Sequence, residues 1–271
     1  MTNLLIRPHE RQGDGNVIAI TPESAGWSHV GFEVFELRAG EMLERNTGSR
    51  ETAAIILTGR AKAETTGQDW GEIGERMDIF DQTPAYMLYV PNDDYMRLTA
   101  ITDVEVALAS APGYGNHAAR VIRPDDIDTM NRGSGSTRRR IHNLLPETEP
   151  ADSLLLVEVY TPAGNWSSYP PHKHDTDREP EESYLEETYY HRINPNQGFA
   201  FQRVYTDDGS LDESMAVANG NCVIVPRGYH PVGTAAGYDL YYLNVMAGPK
   251  RKWRFTNDPN HAWLFEGIRS D

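Results

Sequence analysis

The sequence predicts an all-β fold built from two tandem β-barrels. Its apolar residues fall in short runs rich in β-branched and aromatic side chains, bounded by Gly or Pro, and runs of this kind are typical of strands. Convincing helical periodicity is scarce, which disfavours a parallel α/β sheet. Many short strands separated by turn residues are instead typical of a sandwich or a barrel.

The strand pattern recurs along the whole chain, in four segments of the first half and five of the second. In chain order these read VGFEVFEL (30–37), AAIIL (53–57), YMLYV (86–90), VEVALA (104–109), LLLVEVY (154–160), TYYHRI (188–193), FAFQRVY (199–205), CVIV (222–225) and DLYYLNVM (239–246).

The two halves also share short words in the same order, which indicates a duplication rather than one large sheet. EVFELRAG (33–40) resembles VEVYTPAG (157–164), and later VPNDDY (90–95) resembles VPRGYH (225–230). We therefore predict an N-terminal barrel over residues 1–130, a linker or crossing segment over 131–150, and a C-terminal barrel over 151–271.

Composition limits the classes of partner. The chain has 271 residues and carries 40 acidic against 25 basic residues, a net charge of −15, which argues against nucleic acid or an anionic membrane as partner. Its single cysteine, Cys222, leaves no intrachain disulfide. No signal-peptide core or membrane-length apolar run is present, so we expect a cytoplasmic protein. Homo-oligomer formation through exposed barrel edges stays open.

The stretch NRGSGSTRRR between the halves is expected to be an exposed crossing segment, because Gly and Ser residues precede three arginines. In so acidic a chain, Arg138, Arg139 and Arg140 are expected in a solvated loop, in internal ion pairs or beside a functional site.

The stretch from Pro170 to Ile193, PPHKHDTDREPEESYLEETYYHRI, predicts a metal site. Residues i and i+2 of a strand point to the same face, so His172 and His174 can present two imidazoles to one point. Imidazole suits borderline-soft divalent metals. Glu187 would add an oxygen ligand from a neighbouring strand, and His230 would add a third imidazole after the turn in PRGYH.

The carboxylate ligand is less sharply defined than the imidazoles. Glu187 shares a strand face with Tyr189 and His191 and is preferred, while Glu186 is the alternative. Glu181 and Glu182 are expected in a solvated acidic loop. The isolated histidines of the chain are expected on the surface or hydrogen-bonded in the core; these are His9, His29, His117, His142 and His261.

The first half lacks an equivalent ligand set. When the duplicated words are aligned, Gly48 falls opposite His172, Arg50 opposite His174 and Tyr95 opposite His230. The N-terminal barrel is therefore expected to carry no metal ligands and to serve a structural or oligomer-forming role.

These motifs resemble known families. HKH, a Glu on the following strand and PRGYH resemble the two motifs of the cupin superfamily, whose double-stranded β-barrels bind a metal through three His and one Glu. More narrowly, PPHKHD, EESYLEETYYHRINP, GFAFQRVYTDD, VPRGYHPV and YDLYYLNVMAGP resemble the 5-deoxy-glucuronate isomerases of myo-inositol catabolism. That bicupin family is related to the 4-deoxy-5-ketouronate isomerases of pectin breakdown. The resemblance is densest over residues 154–261, and the long acidic insertion before Glu187 departs from the general cupin pattern.

The resemblance implies two tandem cupin-like double-stranded β-barrels and a metal-dependent conversion of 5-deoxy-D-glucuronate to 5-dehydro-2-deoxy-D-gluconate. A divalent cation would stabilise the enediolate charge; zinc is preferred, with manganese, iron, cobalt or nickel open. An enediol route and a hydride shift stay open. The alternatives are an iron-dependent cupin dioxygenase with the same ligands and a non-catalytic sugar-binding bicupin.

A small anionic sugar acid as substrate calls for a cation in the site. Arg203 is the first candidate, because an inward-facing Phe201 would carry it inward too; an internal ion pair is its alternative. Further candidates for substrate contact or catalysis are His191, which could also support a ligand, Arg227 and Tyr229 at the mouth, and Tyr189 and Tyr242 in the pocket wall.

Overall fold

The computed structural model describes residues 3–264, which form β-strands with only short helical turns. The strands in this part of the chain are β1 (Leu5–Ile6), β2 (Asn16–Ile20), β3 (Gly31–Leu37), β4 (Met42–Asn46), β5 (Arg50–Thr58), β6 (Ala61–Thr65), β7 (Gln68–Ile73), β8 (Met87–Val90), β9 (Tyr95–Ala100), β10 (Val104–Pro112), β11 (Arg120–Ile122), β12 (Asp128–Arg132), β13 (Arg139–Leu145), β14 (Leu155–Thr161), β15 (Trp166–Ser167), β16 (His172–Lys173), β17 (Glu186–Asn194), β18 (Phe199–Tyr205), β19 (Asp212–Ala218), β20 (Cys222–Val225), β21 (Val232–Thr234), β22 (Asp239–Ala247) and β23 (Thr256–Asn257).

The helical pieces are all shorter than two turns. They are α1 (Pro22–Ala25) and the 3-10 turns Ile79–Asp81, Pro124–Asp126, Gly135–Thr137 and Pro259–His261. None of the helices between residues 3 and 264 is long and apolar enough to cross a bilayer. Each of the nine predicted strand segments falls on a strand to within one residue at its start: six lie wholly in a strand, and the segments 30–37, 86–90 and 154–160 begin one residue early.

The described chain divides into two compact units. The first-half unit comprises Pro8–Asp128 and Leu144–Leu155. The second-half unit comprises residues 3–7, Thr129–Asn143 and residues 156–264. The domain boundaries 1–130, 131–150 and 151–271 stay a prediction.

The two units repeat the same strand order, as a duplication requires. The first-half unit has sheets ordered β11-β8-β5-β10-β3-β2 and β4-β9-β6-β7. The second-half unit has β1-β20-β17-β22-β14-β13-β12 and β15-β21-β18-β19, with a small β16-β23 pair. The order β8-β5-β10-β3-β2 thus corresponds to β20-β17-β22-β14-β13, and β4-β9-β6-β7 to β15-β21-β18-β19. The predicted all-β fold of two similar halves is confirmed.

The first-half unit is filled by an apolar core. Phe35, Leu88, Met96 and Val106 are fully buried within it, at 0% exposure, and Trp70 packs against its side. Burial of apolar side chains on this scale is the main stabilising term of a small domain. This apolar core stabilises the fold of the unit.

The stretch NRGSGSTRRR (131–140) is largely exposed, as expected of a crossing segment, with Thr137 buried and Arg139 half-buried. The wider segment 131–150 contains the 3-10 turn Gly135–Thr137 and all of β13, which lies between β14 and β12 in the seven-stranded sheet. Ile141, Leu144 and Leu145 are buried there. The Gly-Ser-Arg composition hid this strand, because its apolar residues begin only after the arginines.

Candidate metal centre

His172 and His174 approach one point from a short strand. β16 pairs antiparallel with β23, with His172 opposite Asn257. Side chains two residues apart on a strand share a face, and the ring centroids of the two histidines lie 6.2 Å apart. His174 is 3% exposed, whereas His172 is only half-buried, so His172 forms the more accessible side of the pair.

A tight turn after β20 positions His230. Gly228 has φ +89° in this turn, and a Cβ there would lie 2.3 Å from the backbone oxygen of Tyr205. Only glycine fits such a position without strain. The ring of His230 lies 4.8 Å from that of His172 and 5.0 Å from that of His174, measured between centroids. One ring nitrogen of each histidine lies within 4.8 Å of a ring nitrogen of the other two.

Glu187 lies beside the same group because its strand pairs with β20. Glu187 stands opposite Val225, the last residue of β20, so the following turn brings His230 back toward it. Its Oε2 lies 3.0 Å from Nε2 of His174 and 3.1 Å from Nε2 of His230. Glu186 is also buried, but adjacent strand residues point to opposite faces.

Burial and neighbouring charges shift the pKa values of Glu187 and His174 in opposite directions. Burial alone would raise the pKa of the Glu187 carboxyl, but the imidazoles of His230 and His174 outweigh it and lower this pKa to about 2. Burial also lowers the pKa of His174, and the contact with Glu187 reverses that to a net rise. Burial, with the other two histidines, lowers the pKa of His172 well below its ordinary value. Glu187 is therefore an ionised, ligand-ready carboxylate.

Two backbone carbonyls orient the imidazoles. Nδ1 of His174 lies 3.0 Å from the carbonyl oxygen of Leu185, and Nδ1 of His230 lies 2.8 Å from that of Gly228. A proton held on Nδ1 leaves Nε2 as the free electron-pair donor, as in metal-ligating histidines.

The donor set passes a test of fit for a divalent metal. Nε2 of His230 is buried and lies 3.1 Å from Oε2 of Glu187, but it makes no hydrogen bond of good geometry within residues 3–264, an arrangement that a bound ligand would satisfy. Ligand atoms that share one ion at about 2.1 Å lie roughly 3 to 3.5 Å from each other, and the separations between Glu187 and the two histidines match this spacing. The three histidines can hold a metal.

A cavity of about 460 Å³ opens beside the cluster. His172 and Glu187 line it, together with Tyr189, Tyr242 and Asn244 from β17 and β22. Residues of β12 and β13 and the aromatic rings of Trp253 and Phe255 line the rest. A space of this size lies within the range of small-molecule sites, about 300 to 1,000 Å³.

Tyr189 and Tyr242 lie in the cavity wall as expected from sequence. The hydroxyl of Tyr189 is 2.8 Å from Oγ of Ser168, and that of Tyr242 is 2.6 Å from Oγ of Ser167. Burial raises the pKa of both phenols. Both hydroxyls therefore stay protonated at neutral pH and can donate hydrogen bonds to a ligand.

His191 lies behind this wall and not on it. Its Nε2 is 3.0 Å from Oε1 of Gln202, and its ring stacks on Tyr189 with centroids 5.9 Å apart. Burial lowers the pKa of His191 to about 4. His191 is therefore a neutral buried residue that supports Tyr189, and its contact with substrate stays a prediction.

The inward orientation expected for Arg203 is wrong. Along β18 the buried residues are Ala200, Gln202 and Val204, while Phe201 is 52% exposed. Arg203 is accordingly exposed, and its Nε and Nη2 donate to the carboxylate of Asp212 at 2.7 and 2.8 Å. The large apolar Phe201 suggested the opposite parity, but a small alanine and a glutamine fill the inner positions.

The two residues expected at the mouth do not line the cavity. Arg227 is exposed, and its Nη2 lies 3.1 Å from Oγ of Ser210. Tyr229 is 2% exposed, and its hydroxyl donates to Asp207 at 2.9 Å. Because Tyr229 directly precedes His230, the alternation of side chains directs it away from the cluster.

One residue of the acidic loop, Glu182, is buried and not solvated as expected. Glu181 is exposed as expected, but Glu182 is 0% exposed. Its Oε1 accepts hydrogen bonds from the backbone amides of Asp175 and Thr176, both at 2.9 Å. Glu182 therefore stabilises the loop that follows the His-x-His pair.

Sequence reasoning missed several cavity residues, above all Arg139 and Asn244. Asn244 had a detectable signal, because it shares strand parity with Tyr242 and is polar in an otherwise apolar run. Arg139 had a weaker signal, since one expectation for the arginine run was a position next to the site. Trp253 and Phe255 belong to no strand motif, and only the fold brings Phe255 to 4.7 Å from His172, ring to ring.

The fold and the cluster together define a tandem cupin-like protein with one candidate metal centre in its second half. Residues 4–264 match the KduI/IolB family, and the chain belongs to this family. The family resemblance predicted from the motifs is thereby confirmed.

Several relatives match over nearly the whole chain. The 5-deoxy-glucuronate isomerase of Geobacillus kaustophilus is 55% identical over 98% of this chain and 96% of its own length. That of Bacillus subtilis is 46% identical over 98% of this chain and 100% of its own. The crystal structure of an IolB-like protein from Salmonella typhimurium superposes with a TM-score of 0.94, at 52% identity, over 97% of this chain and 99% of that one.

More distant structures share the fold alone. Oxalate decarboxylase from Bacillus subtilis superposes with a TM-score of 0.66 at 14% identity, over 95% of this chain and 80% of that one. The enzyme from Lactobacillus farciminis gives 0.69 at 12% identity, over 98% and 91%.

Proposed function

We propose that this protein is an aldose–ketose isomerase that converts 5-deoxy-D-glucuronate to 5-dehydro-2-deoxy-D-gluconate, using a divalent metal bound by His172, His174, Glu187 and His230. The observation that carries the proposal is the convergence of three imidazoles and an ionised carboxylate beside a ligand-sized cavity. Support also comes from relatives about half identical to this chain that bear the name 5-deoxy-glucuronate isomerase.

The reaction explains why such a site is needed. Moving a hydrogen between neighbouring carbons of a hydroxy-aldehyde places negative charge on two oxygens. A divalent metal at this site would supply Lewis-acid stabilisation of that charge. His172 and Glu187 both line the cavity, so the reacting end of the substrate would bind against them.

The tyrosines would orient the substrate by hydrogen bonding. Burial raises the pKa of Tyr189 and Tyr242, so neither phenol is an effective base at neutral pH. Each would donate a hydrogen bond to a substrate oxygen in place of its present serine contact, holding the hydroxy-aldehyde against the cluster.

Zinc is the metal we propose first, because three imidazoles and one carboxylate suit it. Manganese, iron, cobalt and nickel accept the same ligands, and a solved structure of Bacillus subtilis oxalate decarboxylase is described as having Mn(II) centers. Metal analysis of the purified protein, followed by reconstitution with each ion, would identify the active form.

The decisive experiment incubates metal-characterised protein with 5-deoxy-D-glucuronate and follows the ketose by NMR. We expect ketose formation without oxygen consumption, and its loss after chelation. The matched control is His174→Ala, which should form no ketose. Turnover that consumes oxygen and requires iron would show that the protein is a dioxygenase and not an isomerase. Absence of any turnover, with ligand binding unchanged in His172→Ala, would indicate a non-catalytic binding protein.

A further inference from the structure

Two arginines in the cavity wall have no carboxylate partner in the part of the chain that the structure describes. Arg132 ends β12, Arg139 begins β13, and both line the cavity that His172 and Glu187 line. Within residues 3–264, Arg139 makes one hydrogen bond, from Nη1 to the carbonyl oxygen of Thr137 at 3.0 Å, and no ion pair. Arg203 of the same unit, by contrast, is paired with Asp212.

The position of Arg139 is energetically unfavourable without an anion. Its side chain is half-buried, and burial lowers the pKa of its guanidinium, with Arg132 acting in the same direction. A guanidinium stays protonated in proteins, so the charge must be stabilised by other means. Placing two like charges near each other in a partly desolvated wall is costly unless a ligand compensates.

The net negative charge of the chain explains why an anionic substrate would need a pair of cations in the cavity. With 40 acidic and 25 basic residues, the protein as a whole repels an anionic substrate. A local pair of cations in the cavity would counter that repulsion and attract the anion. A guanidinium also matches the two oxygens of a carboxylate in a bidentate contact.

We propose that Arg132 and Arg139 form the subsite that binds the carboxylate of the sugar-acid substrate, which holds its aldehyde end against His172 and Glu187. This inference rests on the proposed isomerase function and deepens it by assigning the orientation of the substrate. It also assigns a role to residues 129–143, which precede most of the second half in sequence but belong to its unit.

The test replaces Arg139 by Met, which keeps the length of the side chain and removes its charge. We expect KM for 5-deoxy-D-glucuronate to rise at least about 10-fold, the effect of losing a charge-assisted hydrogen bond, with kcat changed much less. Arg139→Lys should recover part of the loss. The matched control is Arg138→Met, an exposed neighbour outside the cavity lining, which should leave KM unchanged.

A neutral analogue makes the test specific for the carboxylate. The same sugar with a primary alcohol in place of the carboxylate should bind the unaltered protein at least about 10-fold more weakly than the acid. In Arg139→Met the two ligands should bind almost equally. An unchanged preference for the acid, or an unchanged KM, would overturn the subsite.

Calorimetric titration of the metal-free protein with the acid separates this inference from the proposed function. If the unaltered protein forms no ketose, the isomerase proposal fails, but tighter binding of the acid to it than to Arg139→Met still supports the subsite. Equal binding to both proteins contradicts it. Should Arg139→Met fold poorly, the more exposed Arg132→Met serves in the same titration.

Discussion

Oε2 of Glu187 lies 3.0 Å from Nε2 of His174, so the last acidic residue of a long insertion meets the second imidazole of the His-x-His pair. The carbonyl oxygen of Leu185 accepts from the other nitrogen of the same imidazole, at 3.0 Å. Leu185 and Glu187 therefore act on both sides of one ring. The acidic insertion ends at the position where its last carboxylate can join the cluster.

Loss of an imidazole from the cluster should abolish metal binding. We expect His174→Ala and His230→Ala to lose the metal, because each removes a buried donor that aims at the shared point. Loss of even an outer partner costs about 10- to 100-fold in metal affinity. The measurement is metal content by mass spectrometry, with activity alongside.

The control for these variants is His261→Ala, which removes a histidine outside the cluster and should retain the metal. The first-half unit should stay folded in all three proteins, because its core is apolar. Full metal content in both cluster variants would refute the site.

The two neighbouring carboxylates should behave differently. Glu187→Gln removes the anionic oxygen near His174 and His230, and we expect metal affinity to fall at least about 100-fold, more than an outer-shell loss costs. Glu186→Gln changes the residue on the other strand face and should retain metal. Competition titrations with a chromogenic chelator would measure both affinities. The opposite ranking would make Glu186 the ligand.

Substitution of Arg203 should leave catalysis intact. Arg203 is exposed and paired with Asp212, so Arg203→Ala should change KM less than about twofold and cost about 1 kcal/mol of stability or less, as exposed ion pairs do. Steady-state kinetics and thermal unfolding measure the two effects. A large rise in KM would indicate that Arg203 contacts the substrate after all.

Acid destabilisation should include a contribution from His191. Burial lowers the pKa of His191 in the folded protein from 6.5 to about 4. Between these values the unfolded chain binds the proton and the folded chain does not, so this contribution to stability is complete above pH 6.5 and is lost progressively as the pH falls toward 4.

His191→Gln should lack this pH dependence. Its destabilisation relative to the unaltered protein should therefore shrink as the pH falls from 6.5 to 4.5, while the other histidines titrate alike in both proteins. Calorimetric unfolding of the metal-free proteins across this range measures the difference, with His261→Gln as the exposed control. A difference that does not vary with pH would mean that the pKa of His191 is the same in the folded and the unfolded chain.

The repeated architecture was largely predictable because strand signals are local. All nine predicted segments fall on strands to within one residue at their start, and FAFQRVY at Phe199–Tyr205 and CVIV at Cys222–Val225 keep their bounds unchanged. The short words shared by the halves reflect corresponding strands in sheets of equal order. β13 was not predicted, because the composition of the arginine-rich segment resembles a linker, whereas its position between β14 and β12 makes Arg139–Leu145 a strand.

The facing of individual side chains was less predictable. The parity rule succeeded for Glu187, where apolar partners surround the strand on both sides, but it failed for Arg203. On β18 the largest apolar side chains, Phe199 and Phe201, are 42% and 52% exposed. Ala200, Gln202 and Val204 face inward instead, so the size of the apolar side chains did not indicate the inner face of this strand.

The sequence by itself determined the all-β duplicated fold, the family and the candidate ligands, because periodicity, turn residues and motif spacing are local properties of the chain. Only the tertiary structure decided what surrounds the ligands. Arg139 arrives from β13 and Phe255 from the segment before β23, and strand pairing between distant segments brings them to one cavity. Nothing in the spacing of those residues encodes that proximity.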